Sequence, residues 1–496
     1  MENIRFCQKM LTSFDKKEES ILNLVIALAG NQSAHSPTEL ALNPLYKYQY
    51  SSISDAIDNF LKEDIPKGTG ENPKVVEEKP KTLHEKTNEL NKLFKKEAKL
   101  RDLVNEFFPK KYNDKFWVLN TDVTSIYREH SPTLADKEFV HMANSVIKDN
   151  KPVTIGHRLS TVGLNARENG VAWNPPISML KVPLELKSSE FAAQQIKVII
   201  VDEKLFNNDL VINNLDSAYN NVGYAYPTYE IANLISIIRM AGNRNVFNCY
   251  TGDTKTGSGA KNKYGEVFKL PKKETHRPPD KTEEFDWTMK NNRKCNINVR
   301  QWNNMILKGK RNKRMHDKPF NLVAIQLTDI QTGKPVFKNT LWVAVWGERR
   351  NEITLREIYE SFRLRFDIEF FFRFGKQKLL LDKYQTPDVA HEQNWFWIVF
   401  LSYWLLYLSR TEGENIIRPW EKYLPKCINQ DVKELENNTV KTPTQPQRAL
   451  PSILCDFTKN NLIPKTHNNR SGREKGKSQT PRKHFNPVKK GVKLQI

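Results

Sequence analysis

The sequence predicts a mixed α/β protein with a sizeable core, because 38% of its residues are hydrophobic and strand-like and helical patterns alternate. The unbroken apolar runs at 116–119 and 198–201, the second within a strand predicted at 196–201, are typical of buried strands. Apolar residues at helical spacing recur near 21–28, 54–61 and 231–240. From about 245 to 347 the pattern is β-like, with Gly- and Lys-rich turns.

Taken in order, the chain begins with short helices to about 65, a Lys/Glu/Pro-rich linker at 66–81 and a charged helix near 83–107. Further strands are predicted at 153–155 and 177–186, and a hairpin at 322–346. A long helix follows at about 354–380. The apolar segment 395–408 is too short for a membrane span and predicts a buried helix.

These patterns predict five regions. They are a helical N-terminal region (1–110), the first part of an α/β core (111–244), a β-rich insertion (245–347), the second part of the core (348–415) and a basic C-terminal region (416–496). From about 464 the tail is basic and nearly free of apolar residues, so we expect disorder, or folding upon DNA.

Charge is the first indication of function. The formal net charge of +21 favours a polyanionic partner, because basic surfaces attract nucleic acid and release its counterions. The 5 cysteines are scattered without a CxxC pair, which argues against a zinc ribbon or a disulfide framework. With no signal-peptide pattern either, a soluble intracellular protein is expected. An ATP-driven or hydrolase function has little support, because no Walker A, GxGxxG or nucleophile-elbow motif is present.

Two acids follow predicted strands: Asp122 after FWVLNT and Asp202 after KVIIV. A carboxylate at a strand end is rigidly held and projects where the chain leaves the core, which suits a metal site with oxygen ligands. The alternative for each acid alone is a turn former or a helix N-cap.

The helix around Glu369 carries more information. Phe362, Arg365, Glu369 and Lys376 fall on one narrow arc of a 3.6-residue helix. An exposed row of ion pairs is the alternative interpretation. We instead expect a mostly buried acid that binds a metal while its cationic neighbours hold phosphate, because the opposite side is rich in apolar residues. That side carries Phe366, Ile368, Phe370, Phe371 and Phe374.

This helix resembles the Y-(2)-R-(3)-E-(6)-K signature of bacterial insertion-sequence DDE transposases, in the cut-and-paste branch with a β-rich insertion. Arg365, Glu369 and Lys376 occupy the R, E and K positions, and Phe362 replaces the tyrosine, which removes one possible phosphate contact. The stretch TDVTSIYREH around Asp122 and the stretch KVIIVD resemble the first-acid and second-acid strands of the family.

The resemblance implies a ribonuclease H-like core that cleaves transposon ends and joins them to target DNA. It implies two Mg²⁺ ions, replaceable by Mn²⁺, on the catalytic acids Asp122, Asp202 and Glu369. Arg365, Lys376, Phe362, Arg373 and Trp342 would contact DNA. The implied partners are double-stranded DNA, as terminal inverted repeats and target, and a second copy of the chain on paired ends. A bacterial cytoplasmic, nucleoid-associated location is expected.

Several alternatives stay open at this stage. Trp342 would stack on a flipped base by family analogy, but Trp342 and Trp346 share one strand face and a place in the core is favoured. The cluster Lys308, Lys310, Arg311, Lys313 and Arg314 would track phosphates or form a solvated loop. Arg239 and Arg244 are candidates to line the cleft. The rival functions are a ribonuclease H-fold nuclease without joining activity and a DNA-binding relic without catalysis.

Overall fold

The computed structural model describes residues 1–62, 83–142, 153–252, 262–289, 292–309, 312–412, 440–458 and 482–488. The predicted linker at 66–81 lies outside these residues, as does the tail from 464 onward except for 482–488. Within them, no helix is both long enough and apolar enough to cross a bilayer.

Helices and strands alternate through most of the chain, which confirms the mixed α/β prediction. The helices are α1 (Glu2–Ser13), α2 (Glu18–Ala29), α3 (Tyr50–Asn59), α4 (Leu83–Val104), α5 (Ser188–Lys197), α6 (Val222–Thr228), α7 (Leu355–Arg363), α8 (Asp367–Lys378), α9 (Val389–Leu408), α10 (Thr444–Ile453) and α11 (Cys455–Thr458). The strands are β1 (Phe116–Tyr127), β2 (Glu138–His141), β3 (Val153–Leu164), β4 (Pro176–Lys181), β5 (Leu210–Leu215), β6 (Leu234–Arg239), β7 (Asn245–Cys249), β8 (Tyr264–Lys269), β9 (Lys281–Thr288), β10 (Lys294–Ile306), β11 (Phe320–Asp329) and β12 (Leu341–Trp346).

All of these strands belong to one mixed sheet. Its order is β2-β3-β1-β5-β6-β12-β11-β10-β7-β8, with β4 paired to β3 and β9 paired to β10. The strands β1, β5 and β6 run parallel to one another, whereas the other pairings are antiparallel. The β-rich segment 245–347 therefore continues the same sheet through β12, which lies beside β6.

Alternating side chains of the central strands pack into two hydrophobic cores, one on each face of the sheet. Val118, Ile212 and Ile237 pack under α7 with Ile358 and Phe362. The other core is larger and continuous with the N-terminal helices.

The apolar segment 395–408 forms most of α9, whose side chains from Glu392 to Leu408 are buried, as predicted. This helix packs against α2, α3 and β4. The ring of Phe60 lies 6.4 Å from that of Trp397. The N-terminal helices thus share their core with the sheet, so α9 ties the two ends of the chain together.

Two predictions between β4 and β7 are wrong: a predicted strand is helical, and a predicted helix contains a strand. The run 196–201, predicted as a strand, ends α5 and continues as a π-helical turn at Val198–Asp202. The stretch 231–240, predicted as helical, contains β6 instead. The strand β5, between them, was not predicted. Helix formers before Ile196 extend the helix, which begins where Glu190 accepts a hydrogen bond from the Lys187 amide.

The long helix predicted at 354–380 is confirmed but interrupted. Thr354 caps α7 reciprocally with Glu357, whose backbone N–H donates to the Thr354 hydroxyl at 3.2 Å. A 3-10 turn at Leu364–Phe366 then separates α7 from α8. This break re-aims the chain just before Glu369.

Candidate active site

Asp122 lies in the middle of β1, between β3 and β5 in the sheet, so this strand does not end before the acid as predicted. Its Oδ1 accepts a hydrogen bond of 2.8 Å from the Val123 amide. The pKa of this carboxyl is raised to about 6, chiefly by burial and to a smaller extent by the charges of Asp216 and Glu369, whereas the Val123 amide and the charge of Arg365 oppose the rise. A carboxylate held among other acids in this way needs cationic compensation.

Asp216 directly follows β5 and takes the place next to Asp122. The parallel register pairs Asn120 with Asn214 and Thr121 with Leu215, so the following row brings Asp122 and Asp216 side by side. The Oδ1 of Asp216 is buried and accepts no hydrogen bond from the described residues. It lies 3.9 Å from Nη1 of Arg239, which places that predicted cleft arginine at the site.

Glu369 enters from α8, on the helical side of the same cluster. Its carboxylate accepts a hydrogen bond of 3.2 Å from Nη2 of Arg365. The side chain of Glu369 is 52% exposed, so the expectation of a mostly buried acid is wrong. Arg365 is the buried partner, and its Nε has no hydrogen-bond partner among the described residues.

The carboxylates of Asp216 and Glu369 therefore both act electrostatically on that of Asp122, where the parallel pairing of β1 with β5 ends. Within the described residues they do not close into a compact metal-ligand cluster, because Asp216 and Glu369 face arginines. The donor set nevertheless fits a hard divalent cation, since all its donors are carboxylate oxygens and a buried oxygen of Asp216 accepts no hydrogen bond.

The structure does not bring Asp202 to this cluster, and the strand predicted before Asp202 is helical. Asp202 ends the π-helical turn and is exposed. Its neighbour Glu203 accepts a hydrogen bond of 2.6 Å from Arg101 on α4, and the ring of Phe206 packs 5.5 Å from that of Trp117. Trp117 precedes Asp122 by five residues on β1, which is about 16 Å along an extended strand.

The predicted arc of DNA-contacting residues is divided by the break between α7 and α8. Phe362, on α7, is buried in the core between this helix and the sheet, so its ring contributes to packing. The Nζ of Lys376 donates to the Ser125 carbonyl at 2.9 Å and ties α8 to β1. Burial lowers the pKa of Lys376.

The aromatic side of α8 is only partly buried, which corrects the assignment of that face. Ile368 and Phe371 reach the core as predicted, but Phe366 is 47% and Phe370 42% exposed. An arginine guanidinium lies over each of these two exposed rings. The guanidinium of Arg365 lies 4.4 Å from the Phe366 centroid, and that of Arg373 lies 4.9 Å from the Phe370 centroid.

Trp342 lies on β12 and is 9% exposed. Its ring centroid is 5.6 Å from those of Trp302 and His276, inside an aromatic cluster that also includes Phe268. Trp346 is likewise buried and stacks on Phe320. The interpretation of both tryptophans as core residues therefore agrees with their burial.

The basic cluster of the insertion is described only in part, because Lys310 and Arg311 lie outside the described residues. Lys308 lies over the Phe247 ring at 4.9 Å, and Arg314 pairs with Asp317 at 2.9 Å. These contacts are those of a structured loop with local partners.

Asp216 is the residue that sequence reasoning missed. Its strand, LVINNL, contains two asparagines that interrupt the apolar run, so the uninterrupted run before Asp202 gave the stronger strand signal. No Ser, Thr, Asp or Asn stands three residues before Glu190, so the sequence carried no capping-box signal for α5.

Neither the protein-family models nor the curated proteins compared with the chain give a match.

Proposed function

We propose that this protein is a DNA transposase of the DDE type, with Asp122, Asp216 and Glu369 as the metal-binding acids. The observation that carries the proposal is the grouping of these three carboxylates: the strand register brings Asp216 beside Asp122, and the charges of Asp216 and Glu369 both act on Asp122. A carboxylate with a strongly perturbed pKa that lies beside other acids is typical of sites that bind metal or transfer protons.

The sheet supports a ribonuclease H-like core. Strands β3, β1, β5 and β6 are consecutive in the sheet, with β3 antiparallel to β1 and with β5 and β6 parallel to it. Two acids stand on neighbouring parallel strands, and the third stands on a helix that follows the β-rich segment. The DDE transposases that the sequence resembles use acids distributed in this way.

Two bound divalent ions, Mg²⁺ or Mn²⁺, would activate the attacking oxygen and stabilise the departing one at phosphorus. The chain's own residues supply the carboxylate oxygens for these ions. Arg365, held against Glu369, keeps a positive charge beside the acids where a phosphate would lie.

The DNA-facing surface of the proposed site is the exposed side of α8. The rings of Phe366 and Phe370 offer stacking faces, and Arg373 adds a cation next to them. The net charge of +21 supports a polyanionic substrate. In this proposal double-stranded terminal repeats and target DNA are the substrates, with two copies of the chain on paired ends.

The decisive experiment measures Mg²⁺-dependent cleavage and joining of DNA that carries the terminal repeats of the transposon proposed to encode this chain. We expect activity from the wild type and from Asp202→Asn, and none from Asp216→Asn, because only the latter change removes a proposed metal ligand. Binding of Mn²⁺, followed by calorimetry without DNA, should be lost in Asp216→Asn as well.

The possible outcomes separate the rival functions. Cleavage without joined products would indicate a nuclease. DNA binding without cleavage by the wild type would indicate a binding protein that lacks catalysis. Loss of activity in Asp202→Asn, together with retained activity in Asp216→Asn, would overturn the assignment of the second acid.

A further inference from the structure

Buried asparagine side chains lie directly beneath the three acids. Asn120 on β1 and Asn214 on β5 are paired in register and fully buried. The Nδ2 of Asn214 donates to the Oδ1 of Asn120 at 3.2 Å, and the Nδ2 of Asn120 donates to the Oδ1 of Asn174 at 2.8 Å. A row of amides thus connects the two strands that carry the aspartates.

The same amides also hold the helical segment that carries Glu369. The Nδ2 of Asn214 donates to the Ser361 carbonyl at 2.9 Å, and the Nδ2 of Asn120 donates to the Leu364 carbonyl at 3.0 Å. These carbonyls belong to the end of α7 and to the 3-10 turn that follows it. Both bonds therefore attach to the chain at the break that aims α8.

Asn120 and Asn214, together with their hydrogen bonds to the Leu364 and Ser361 carbonyls, form what we call the clamp, and each asparagine lies close in sequence to one of the acids. Asn120 precedes Asp122 by two residues and Asn214 precedes Asp216 by two, so each asparagine shares a sheet face with its acid. The clamped turn ends three residues before Glu369. Two strands and one helix, each with one acid, are thereby held at a common point.

We infer that Asn120 and Asn214 are positioning residues that set the distance between the strand-borne aspartates and Glu369, and with it the affinity of the site for divalent cations. This inference rests on the proposed function. Outer residues that orient metal ligands typically change metal affinity by about 10- to 100-fold when they are removed.

A purely stabilising role is the competing explanation, and the amide of Asn214 argues against it. Its Oδ1 is buried without a hydrogen-bond partner among the described residues, so this side chain includes an unsatisfied polar atom, which is unfavourable in a core. An apolar residue would avoid that cost but would lose the bond to the Ser361 carbonyl.

The neighbouring Asn213 provides a matched control on the same strand. It is equally buried but faces the opposite side of the sheet, where its Oδ1 accepts from Thr121 at 2.9 Å and its Nδ2 donates to Tyr224 at 2.7 Å. Asn213→Ala and Asn214→Ala each remove a buried, doubly hydrogen-bonded amide. Only Asn214→Ala releases the helix of Glu369.

The test is Mn²⁺ titration of the full-length chain by calorimetry, together with urea unfolding of each variant. We expect similar losses of urea midpoint for the two variants, a 10- to 100-fold weaker Mn²⁺ affinity for Asn214→Ala and less than a twofold change for Asn213→Ala. If Asn214→Ala does not fold, Asn214→Ser, which keeps a hydroxyl donor, should show a weaker loss of affinity in the same direction.

Equal Mn²⁺ affinities for the two asparagine variants would overturn the clamp. Asp122→Asn separates this failure from failure of the proposed function. Wild-type binding that is abolished by Asp122→Asn but unchanged by Asn214→Ala would contradict the clamp alone. A wild type that binds no Mn²⁺ would contradict both the clamp and the metal site.

Discussion

Glu392 on α9 and Asp122 on β1 both lie inside the fold, but their neighbours carry opposite charges. Glu392 accepts hydrogen bonds from Arg128 at 2.6 Å and is paired with His157 at 2.5 Å. Asp122 is acted on by Asp216 and Glu369, and Arg365 opposes them. One carboxylate is neutralised within the protein, and the other is surrounded by an excess of negative charge.

The two acids consequently respond to pH in opposite directions. Although burial raises the pKa of Glu392, the charges of His157 and Arg128 lower it to about 2, so its ionised form stabilises the fold. The pKa of Asp122 is raised to about 6, so its ionised form destabilises the fold. The opposite directions of these two pKa shifts distinguish an acid whose charge stabilises the fold from one whose charge would be stabilised by a bound cation.

Removing the acid of the neutralised cluster should have the larger effect on stability. We expect Glu392→Gln to lower the free energy of unfolding by about 3 to 5 kcal/mol, because it leaves buried Arg128 without its counter-charge. Urea unfolding at pH 7 measures this loss. Glu352→Gln, at the exposed pair with Arg349, serves as the control and should cost under about 1 kcal/mol. A similar small cost at Glu392 would contradict the structural role.

Neutralising Asp122 should have the opposite sign. A folded-state pKa of about 6, above the ordinary 3.8, gives a stabilising contribution that is full below pH 3.8 and lost as pH rises through 6. Asp122→Asn should therefore match the wild type near pH 4 and exceed its stability by up to about 3 kcal/mol at pH 8, without divalent ions. Urea unfolding from pH 4 to pH 8 tests this, and a pH-independent difference would argue against the raised pKa.

The smallest expected effect concerns access to the acid cluster. If α8 presents Phe370 to DNA, Phe370→Leu should weaken single-stranded DNA binding by roughly five- to tenfold at constant salt, because the stacking face is lost. Fluorescence anisotropy with a labelled oligonucleotide measures the affinity. Phe337→Leu is the matched control, since Phe337 is 57% exposed in the turn between β11 and β12. An equal loss of DNA affinity in both variants would contradict a specific role of Phe370 in stacking on DNA.

Local patterns were sufficient for several elements. The apolar run at 116–119 predicted β1, and the continuous apolar segment at 395–408 predicted α9, because neither pattern has a competing interpretation of comparable strength. The ion pair of Arg365 with Glu369, which their i,i+4 spacing offered only as the alternative interpretation, is present at 3.2 Å. Spacing did not predict the 3-10 turn, whose carbonyls are held by amides from distant strands.

The position of Asp216 beside Asp122 could not be predicted from local patterns. Both 196–201 and 210–215 are short, largely apolar runs followed by aspartate, and a run of six residues fits a strand or a buried helical turn equally well. Pairing decided between them, since Leu210–Leu215 hydrogen-bonds to β1 and β6, whereas Val198–Asp202 extends α5.

The sequence by itself determined the basic charge, the mixed α/β class, the strand that carries Asp122 and the helix with Arg365 and Glu369, because composition and short-range periodicity act within a few residues. Only the tertiary structure decided that Asp216 stands beside Asp122 and that Phe366 and Phe370 remain exposed. Those outcomes depend on strand register and helix packing, which join residues that are far apart in the chain.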